Sequence, residues 1–288
     1  MVKQVNHNCC TAMPHYQYFN NQIYPIDAAL FKTTDLGLLR GYSIFDYFRT
    51  FNGVPFRWND YWQRFENSAR MLQLELPVNK QDAAAILADL YKKSGEAEVA
   101  FRFLLTGGYA SDSVTALLPN LLIRTETLLN DNAVARTKGI KVLPYEYMRD
   151  LPGVKSTNYM HMMLMAGEMK RKQADDLLYH KNGEVSELTR SNIFIVKGDS
   201  LITPDRNILH GITRRVVMEM AGPYLDVQVR PVSLEELLQA DEVFTTSSTK
   251  FVMPEVQVGE KVIGSGIVGK RILHLQKLFN ELVTGWGK

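Results

Sequence analysis

Two domains of the α+β class are predicted by three features of the sequence. The chain has 288 residues, more than one hydrophobic core ordinarily organises, so two units of roughly 120–150 residues are expected. Strand-like segments, aromatic and β-branched or strictly alternating, are interspersed with segments whose apolar residues recur at helical spacing. A polar stretch over residues 126–138 divides the chain and offers little apolar surface to a core. The expected organisation is an extension over residues 1–15, a smaller α+β domain over 16–125, a linker over 126–138 and a larger α+β domain over 139–288.

Residues 16–54 are rich in aromatic and β-branched side chains and are broken by Asn20-Asn21, Gly37, Gly41 and Asn52-Gly53. That pattern predicts short strands joined by turns. Residues 60–73 place Tyr61, Phe65, Ala69 and Leu72 on one helical face, with Asn59 and Asp60 as caps. Residues 80–93 repeat the pattern with Ile86, Leu87 and Leu90. The alternation of Val99, Phe101, Phe103 and Leu105, then the apolar run 121–123, return the chain to its sheet. Beyond the linker, 140–143 reads as a strand and 157–172 as a Met-rich helix, followed by strands 176–180 and 184–196 around an Asn182-Gly183 hairpin turn. Helices are expected at 212–221 and 267–283 and a strand at 242–246, and no internal repeat of 20–50 residues is visible.

The bulk composition excludes several functions. Hydrophobic residues make up 45% and charged residues 22%, as in an ordinary globular protein. Thirty-three basic against thirty-one acidic residues give a net charge of +2, too balanced for a partner held by phosphate-backbone electrostatics, so nucleic acid is not expected. The two cysteines are the adjacent pair Cys9 and Cys10, which supply neither a disulfide framework nor a zinc site, and a reducing cytoplasm fits. No apolar signal-peptide core opens the chain, and no uncharged run approaches the ~18 residues that cross a bilayer, so no membrane role is expected.

Four segments carry chemistry. Gly153-Val154-Lys155-Ser156-Thr157-Asn158-Tyr159 sets a lysine between a Pro-Gly turn and a helix start, where its amine can point into a cleft; a solvated lysine has the same local sequence. In the segment from Gly183 to Phe194, Glu187 and Asn192 interrupt what should be a core strand, and such groups need partners, in a structural network or a binding site. Leu209-His210-Gly211-Ile212-Thr213-Arg214 leads into an amphipathic helix whose free N–H groups suit an anion, or an ordinary cap. Thr245-Thr246-Ser247-Ser248-Thr249 offers strand-end hydroxyls and amides to the same anion, or to solvent.

In order and spacing these segments resemble those of the class IV aminotransferases, which include branched-chain and D-amino-acid aminotransferases and aminodeoxychorismate lyase. The resemblance runs from about Tyr16 to Phe279 and includes Arg40-Gly41-Tyr42-Ser43-Ile44-Phe45-Asp46-Tyr47-Phe48-Arg49 and Arg64-Phe65-Glu66-Asn67-Ser68-Ala69. It implies pyridoxal 5′-phosphate held between two α+β domains, as in the D-amino-acid aminotransferase fold. Lys155 would be the covalent anchor and the acid/base, and Glu187 the partner of the pyridine nitrogen. Arg64, the backbone at Ile212 and Thr213, and Ser247 with Ser248 would bind phosphate, Leu209 would pack on the ring, and Tyr159 would lie near its phenolic oxygen. Family members are mostly homodimers, which implies that Arg40 and Phe45 approach the substrate from the neighbouring chain.

Departures from subgroup patterns bear on the reaction. Lys155-Ser156-Thr157-Asn158 is one residue shorter than the Lys-x-Gly-Gly-Asn-Tyr of branched-chain enzymes, and resembles D-amino-acid enzymes and lyases. Phe45-Asp46-Tyr47-Phe48-Arg49 lacks the threonine that lyases carry, which favours transamination with 2-oxoglutarate over elimination. D-amino-acid enzymes carry small residues where Arg190 stands; Arg40 and Arg190 are therefore expected to bind substrate carboxylate or to form structural ion pairs. The substrates expected are an amino acid, either a D-amino acid or a branched-chain L-amino acid, and a 2-oxo acid. His161 and His210 are expected to be packing or surface residues.

Overall fold

A computed structural model describes residues 15–110, 112, 118–128 and 133–288. The expected extension therefore lies outside the described residues except for His15, as do Cys9, Cys10 and the Leu129-Asn130-Asp131-Asn132 run.

The N-terminal half contains β1 (Tyr16–Phe19), β2 (Gln22–Pro25), α1 (Leu36–Arg40), β3 (Ser43–Phe51), β4 (Val54–Pro55), α2 (Trp58–Met71), α3 (Lys80–Ser94), β5 (Ala100–Thr106) and β6 (Asn120–Glu126). Its strands form one six-stranded antiparallel sheet, ordered β2-β1-β6-β5-β3-β4. Period-two alternation decides which side chains face the helices. In β3, Ile44, Asp46, Phe48 and Thr50 are buried, and in β5 Phe101, Phe103 and Leu105 are. The ring of Phe48 lies 5.1 Å from Tyr61 of α2 and 5.5 Å from Phe101, an aromatic core under the expected helical face. Phe45, Tyr47 and Arg102 point from the opposite face, Tyr47 paired in register with Arg102.

The C-terminal half contains α4 (Ala133–Lys138), β7 (Ile140–Glu146), α5 (Met160–Arg171), β8 (Asp176–Lys181), β9 (Glu184–Leu188), β10 (Asn192–Lys197), β11 (Ser200–Thr203), α6 (Ile212–Ala221), β12 (Asp226–Val229), β13 (Val232–Ser233), α7 (Leu234–Leu238), β14 (Glu242–Ser247), β15 (Phe251–Val258), β16 (Lys261–Val262) and α8 (Lys270–Thr284). Its mixed sheet runs β12-β11-β10-β14-β15-β7-β8-β9-β13, with β16 beside β15. A further pairing, Asn192 opposite Glu187, joins β10 to β9 and closes six of these strands into a ring.

Three expectations change. The strand expected over 184–196 is two strands, because the chain reverses where Leu188 N–H donates to the Ser191 carbonyl at 2.8 Å. Residues 133–138 of the expected linker form α4, which packs against β15 with Ala135 partly buried. The Met-rich helix starts at Met160, not residue 157, because residues 155–157 are drawn out along β3.

The halves share apolar contacts. Val154 and Ile212, from the C-terminal half, are buried in the N-terminal aromatic core, while Phe56 is buried among side chains of α6 and α8. Among the described residues no helix is long and apolar enough to cross a membrane, and no group of three or more His, Cys, Asp or Glu side chains is placed to hold a metal ion.

One buried carboxyl group stands apart. Glu255, in the middle of β15, is 2% exposed, and neither of its oxygens has a hydrogen-bond partner among the described residues. Burial pushes its pKa up to about 8; nearby Lys250, which donates to Asp176 at 2.5 Å, opposes the rise and Asp176 reinforces it. The folded state thus holds this proton at pH values where the unfolded chain, with a pKa near 4.5, has released it. Stability falls as pH rises from about 5 to about 8, by an amount on the order of a few kcal/mol. Glu255→Gln removes this dependence, so thermal unfolding at both pH values should show a larger gain in Tm for the variant at pH 8 than at pH 5.

Candidate active site

Between the two sheets lies a cavity of about 410 Å³. Lys155 enters it from residues 155–157, which add to β3 as a short strand. Phe45 N–H donates to the Lys155 carbonyl at 2.9 Å, Thr157 N–H donates to the Ser43 carbonyl at 3.2 Å, and Ser156 bridges Ile44. Lys155 N–H also donates to Ser68 Oγ of α2 at 3.2 Å. The backbone on both sides of Lys155 is fixed, and its Nζ lies 4.6 Å from the centre of the Phe45 ring. Withdrawal from bulk water lowers its pKa to about 7; the charges of Arg64 and Arg149 add to the effect, while Asp46 and Glu187 oppose it. Near neutrality a large fraction of this amine is uncharged and nucleophilic.

Glu187 faces the same cavity from β9. Its Oε1 accepts from Arg149 Nε at 2.8 Å and its Oε2 from the Leu209 N–H at 3.0 Å. Burial raises its pKa, restrained by the Arg149 guanidinium and the Leu209 amide. Arg149 is held in turn by the carbonyls of Pro152 and Val154. From the opposite rung, Asn192 Nδ2 donates to the Leu209 carbonyl at 2.7 Å. Both peptide groups of Leu209 are therefore clamped by the two polar residues that interrupt the expected strand. Gly211 is required beside them, since a Cβ there would sit 2.0 Å from Asn192 Oδ1.

The clamped turn aims the start of α6 at the cavity. Gly211 is its N-cap, no side chain caps it, and Gly211, Ile212 and Thr213 line the wall. Around them are Arg64 and the hydroxyls of Ser247 and Ser248. Arg64 is 9% exposed and bidentate to Asp46, at 2.9 and 2.6 Å, so its charge is compensated. Ser248 Oγ shares a 2.6 Å hydrogen bond with Tyr61. Ser191 Oγ and Thr246 Oγ1, also in the lining, are buried without a partner among the described residues. An uncapped helix start, a guanidinium, several hydroxyls and two orphaned ones form a donor set suited to a phosphate group.

Eleven of the twelve residues singled out in the sequence line this cavity: Phe45, Arg64, Lys155, Tyr159, Glu187, Arg190, Leu209, Ile212, Thr213, Ser247 and Ser248. Arg40 does not; it is exposed at the end of α1. Phe45, for which the sequence left open which subunit supplies it, lines the cavity of its own chain. His161 stacks on Tyr147 with ring centres 3.8 Å apart, outside the lining. Sequence reasoning missed Tyr47, Arg102, Glu126 and Arg149. For Arg102 the signal was present: a charged residue between Phe101 and Phe103, on the face turned from the core.

Comparison with known proteins gives the family. The model of the class IV aminotransferase family matches residues 43–258. A putative branched-chain-amino-acid aminotransferase of Methanocaldococcus jannaschii is 29% identical over 94% of this chain and 97% of its own. Aminodeoxychorismate lyase of Bacillus subtilis is 29% identical over 92% and 93%. D-alanine aminotransferase of Bacillus licheniformis is 24% identical over 94% and 98%. The crystal structure of the T.th. branched-chain amino acid aminotransferase with pyridoxamine 5′-phosphate superimposes with a TM-score of 0.87 at 25% identity, over 94% of this chain and 95% of that one. The chain belongs to the class IV aminotransferase family. It is a pyridoxal-phosphate-dependent aminotransferase, and the cavity's amine, its acid and the donors around its uncapped helix start fit that cofactor.

The lowered pKa of Lys155 is measurable directly. In cofactor-free protein, reductive methylation followed peptide by peptide in mass spectrometry should half-saturate near pH 7 at Lys155, against about 10.4 for solvated lysines. A profile at Lys155 like that of the surface lysines would contradict the environment described.

Proposed function

We propose that the protein transfers an amino group between an amino acid, either a D-amino acid or a branched-chain L-amino acid, and 2-oxoglutarate. The observation that carries this reading is the convergence of Lys155, Glu187 and the phosphate cup on one cavity. Bound pyridoxal phosphate supplies an aldehyde for the amino group and a ring that takes up electrons from the substrate's α-carbon. Lys155 anchors the cofactor covalently and then carries the proton removed from that carbon, a role matched to an amine with a pKa near neutrality. Glu187 faces the ring nitrogen and favours its protonated form, and the Arg149 guanidinium behind it opposes the rise that burial gives the carboxyl's pKa. Arg64, the Ile212 and Thr213 amides, Ser247 and Ser248 hold phosphate, while Leu209 packs on the ring. Tyr159, whose pKa is raised by burial, stays a neutral phenol that donates to the ring's phenolic oxygen.

Substrate carboxylate falls to Arg190, which lines the cavity and has no ion-pair or hydrogen-bond partner among the described residues. Arg40 serves the same end from a second subunit. It sits beside Leu38 and Leu39, 68% and 44% exposed, and α5 exposes Met160, Met163 and Leu164; these surfaces support a twofold homodimer. The two domains, 16–125 and 139–288, then enclose the cofactor, and the enzyme works in the cytoplasm. Tyr47 stands in the lining where lyases carry threonine, which supports transamination; the lyase relative makes elimination the second reading.

Incubating the loaded protein with D-alanine, L-leucine and aminodeoxychorismate separates the readings. Conversion of the cofactor's ~410 nm absorbance to the pyridoxamine form by one amino acid is the expected result and names its hand. Product release from aminodeoxychorismate without an amino acceptor supports elimination instead. Arg190→Ala should raise the KM for the amino donor by about 10–100-fold, since a charged carboxylate contact is lost. Unchanged kinetics in both half-reactions would remove Arg190 from the site.

A further inference from the structure

Arg190 is exposed, and no hydrogen bond or ion pair holds its guanidinium among the described residues, so its direction is set by the backbone that carries it. That backbone is the reversal between β9 and β10, closed within itself by the bond from the Leu188 N–H to the Ser191 carbonyl. A second tie comes from outside the turn. Buried Thr189 donates through Oγ1 to Oδ1 of Asp176, the first residue of β8. Asp176 is buried too, and it accepts in addition from the Leu177 N–H at 2.9 Å and, on Oδ2, from Lys250 Nζ at 2.5 Å. A buried carboxylate with three donors, one of them a cation, is a firm anchor. Lys250 reaches it from the turn between β14 and β15, which brings Ser247, Ser248 and Thr249 to the cavity. The Lys250 N–H donates to Ser247 Oγ at 3.1 Å, so that hydroxyl accepts from its own turn and keeps its proton for the cavity side.

The series Ser247, Lys250, Asp176, Thr189 thus runs behind the wall from the hydroxyls assigned above to phosphate to the turn under Arg190. Its two middle members do not line the cavity. Resting on the reading that Ser247 binds phosphate and Arg190 the substrate carboxylate, we propose that Asp176 and Lys250 are positioning residues that lock these two turns together. Asp176 aims Arg190 through Thr189, and Lys250 holds Ser247. Phosphate and α-carboxylate are gripped at the same time, at a separation set by the reacting molecules, so a fixed spacing between the turns spares each substrate the work of arranging them.

The test measures cofactor dissociation by absorbance, binding of a non-reacting acid by calorimetry, KM and kcat for the active amino donor, and Tm. The acid is that donor with hydrogen in place of its amino group. Thr189→Val removes the hydroxyl and strands no charge, because Asp176 keeps Lys250 and the Leu177 amide. The donor's KM and the acid's Kd should each rise about 5–20-fold, while kcat and cofactor affinity stay within about 2-fold of the parent. Thr189→Ala, which removes the same bond and adds no bulk, should match it, and Thr189→Ser should restore the parent values. Lys250→Met/Asp176→Asn, which removes both charges of the pair, should weaken cofactor binding about 3–10-fold. A merely structural role predicts a lower Tm with acid and cofactor constants both unmoved or both moved together in the Thr189 variants, and either result overturns the proposal. So does a Thr189→Ser enzyme no better than Thr189→Val, or parent cofactor affinity in the double variant. If Arg190→Ala raises KM while the Thr189 variants keep parent constants, this inference falls and the carboxylate reading stands; if Arg190→Ala changes nothing, both fall.

Discussion

Glu187 and Asn192 face one another across the rung that joins β9 to β10, and each reaches past that rung to one peptide group of Leu209. This four-way contact closes the ring of strands, fixes the turn before α6 and thereby sets the direction of the helix start that lines the cavity. It also places the carboxylate opposite Lys155. Polar groups this deep are stable when every lone pair and proton has a partner. Here the partners are the Leu209 backbone and the Arg149 guanidinium, so folding and the shape of the site are one event. The structural-network account of these two residues is met by side chains that also line the cavity.

Charge compensation forms a second layer. Arg64 is matched by Asp46, Arg149 by Glu187 and Arg102 by Glu126, so three of the guanidiniums in the wall carry their own counter-ions. Lys155 sits among these pairs, and burial together with Arg64 and Arg149 outweighs the nearby acids, which is why its amine loses its proton so readily. A cavity this rich in cations stays folded because its net charge is small.

The legible part of the sequence was the part governed by short-range periodicity. Phe48, Tyr61, Phe65, Phe101 and Phe103 announced the first core through alternation and helical spacing, and they pack as those patterns require. The Lys155, Glu187 and Ile212-Thr213 segments were recognisable because their polar residues stand against an apolar background. The reversal at residues 188–191 was not legible, since Leu188-Thr189-Arg190-Ser191 carries neither Gly nor Pro to mark a turn and the break depends on one backbone hydrogen bond. Nor was the β15 strand, whose Pro254 and buried Glu255 contradict a central-strand pattern. Arg149 escaped notice because its role depends on Glu187, which lies 38 residues away and meets it only in the folded chain.

Val154 and Ile212 are buried in a core that belongs mostly to the other half of the molecule. Swinging the halves apart would drag both side chains into water, along with the two residues' immediate neighbours, Lys155 and Thr213. A hinge of that kind is therefore closed to this protein, and a visiting molecule finds walls already standing. The ordering cost that a floppy receptor subtracts from affinity is met at folding, which leaves the contact energy free to discriminate between guests.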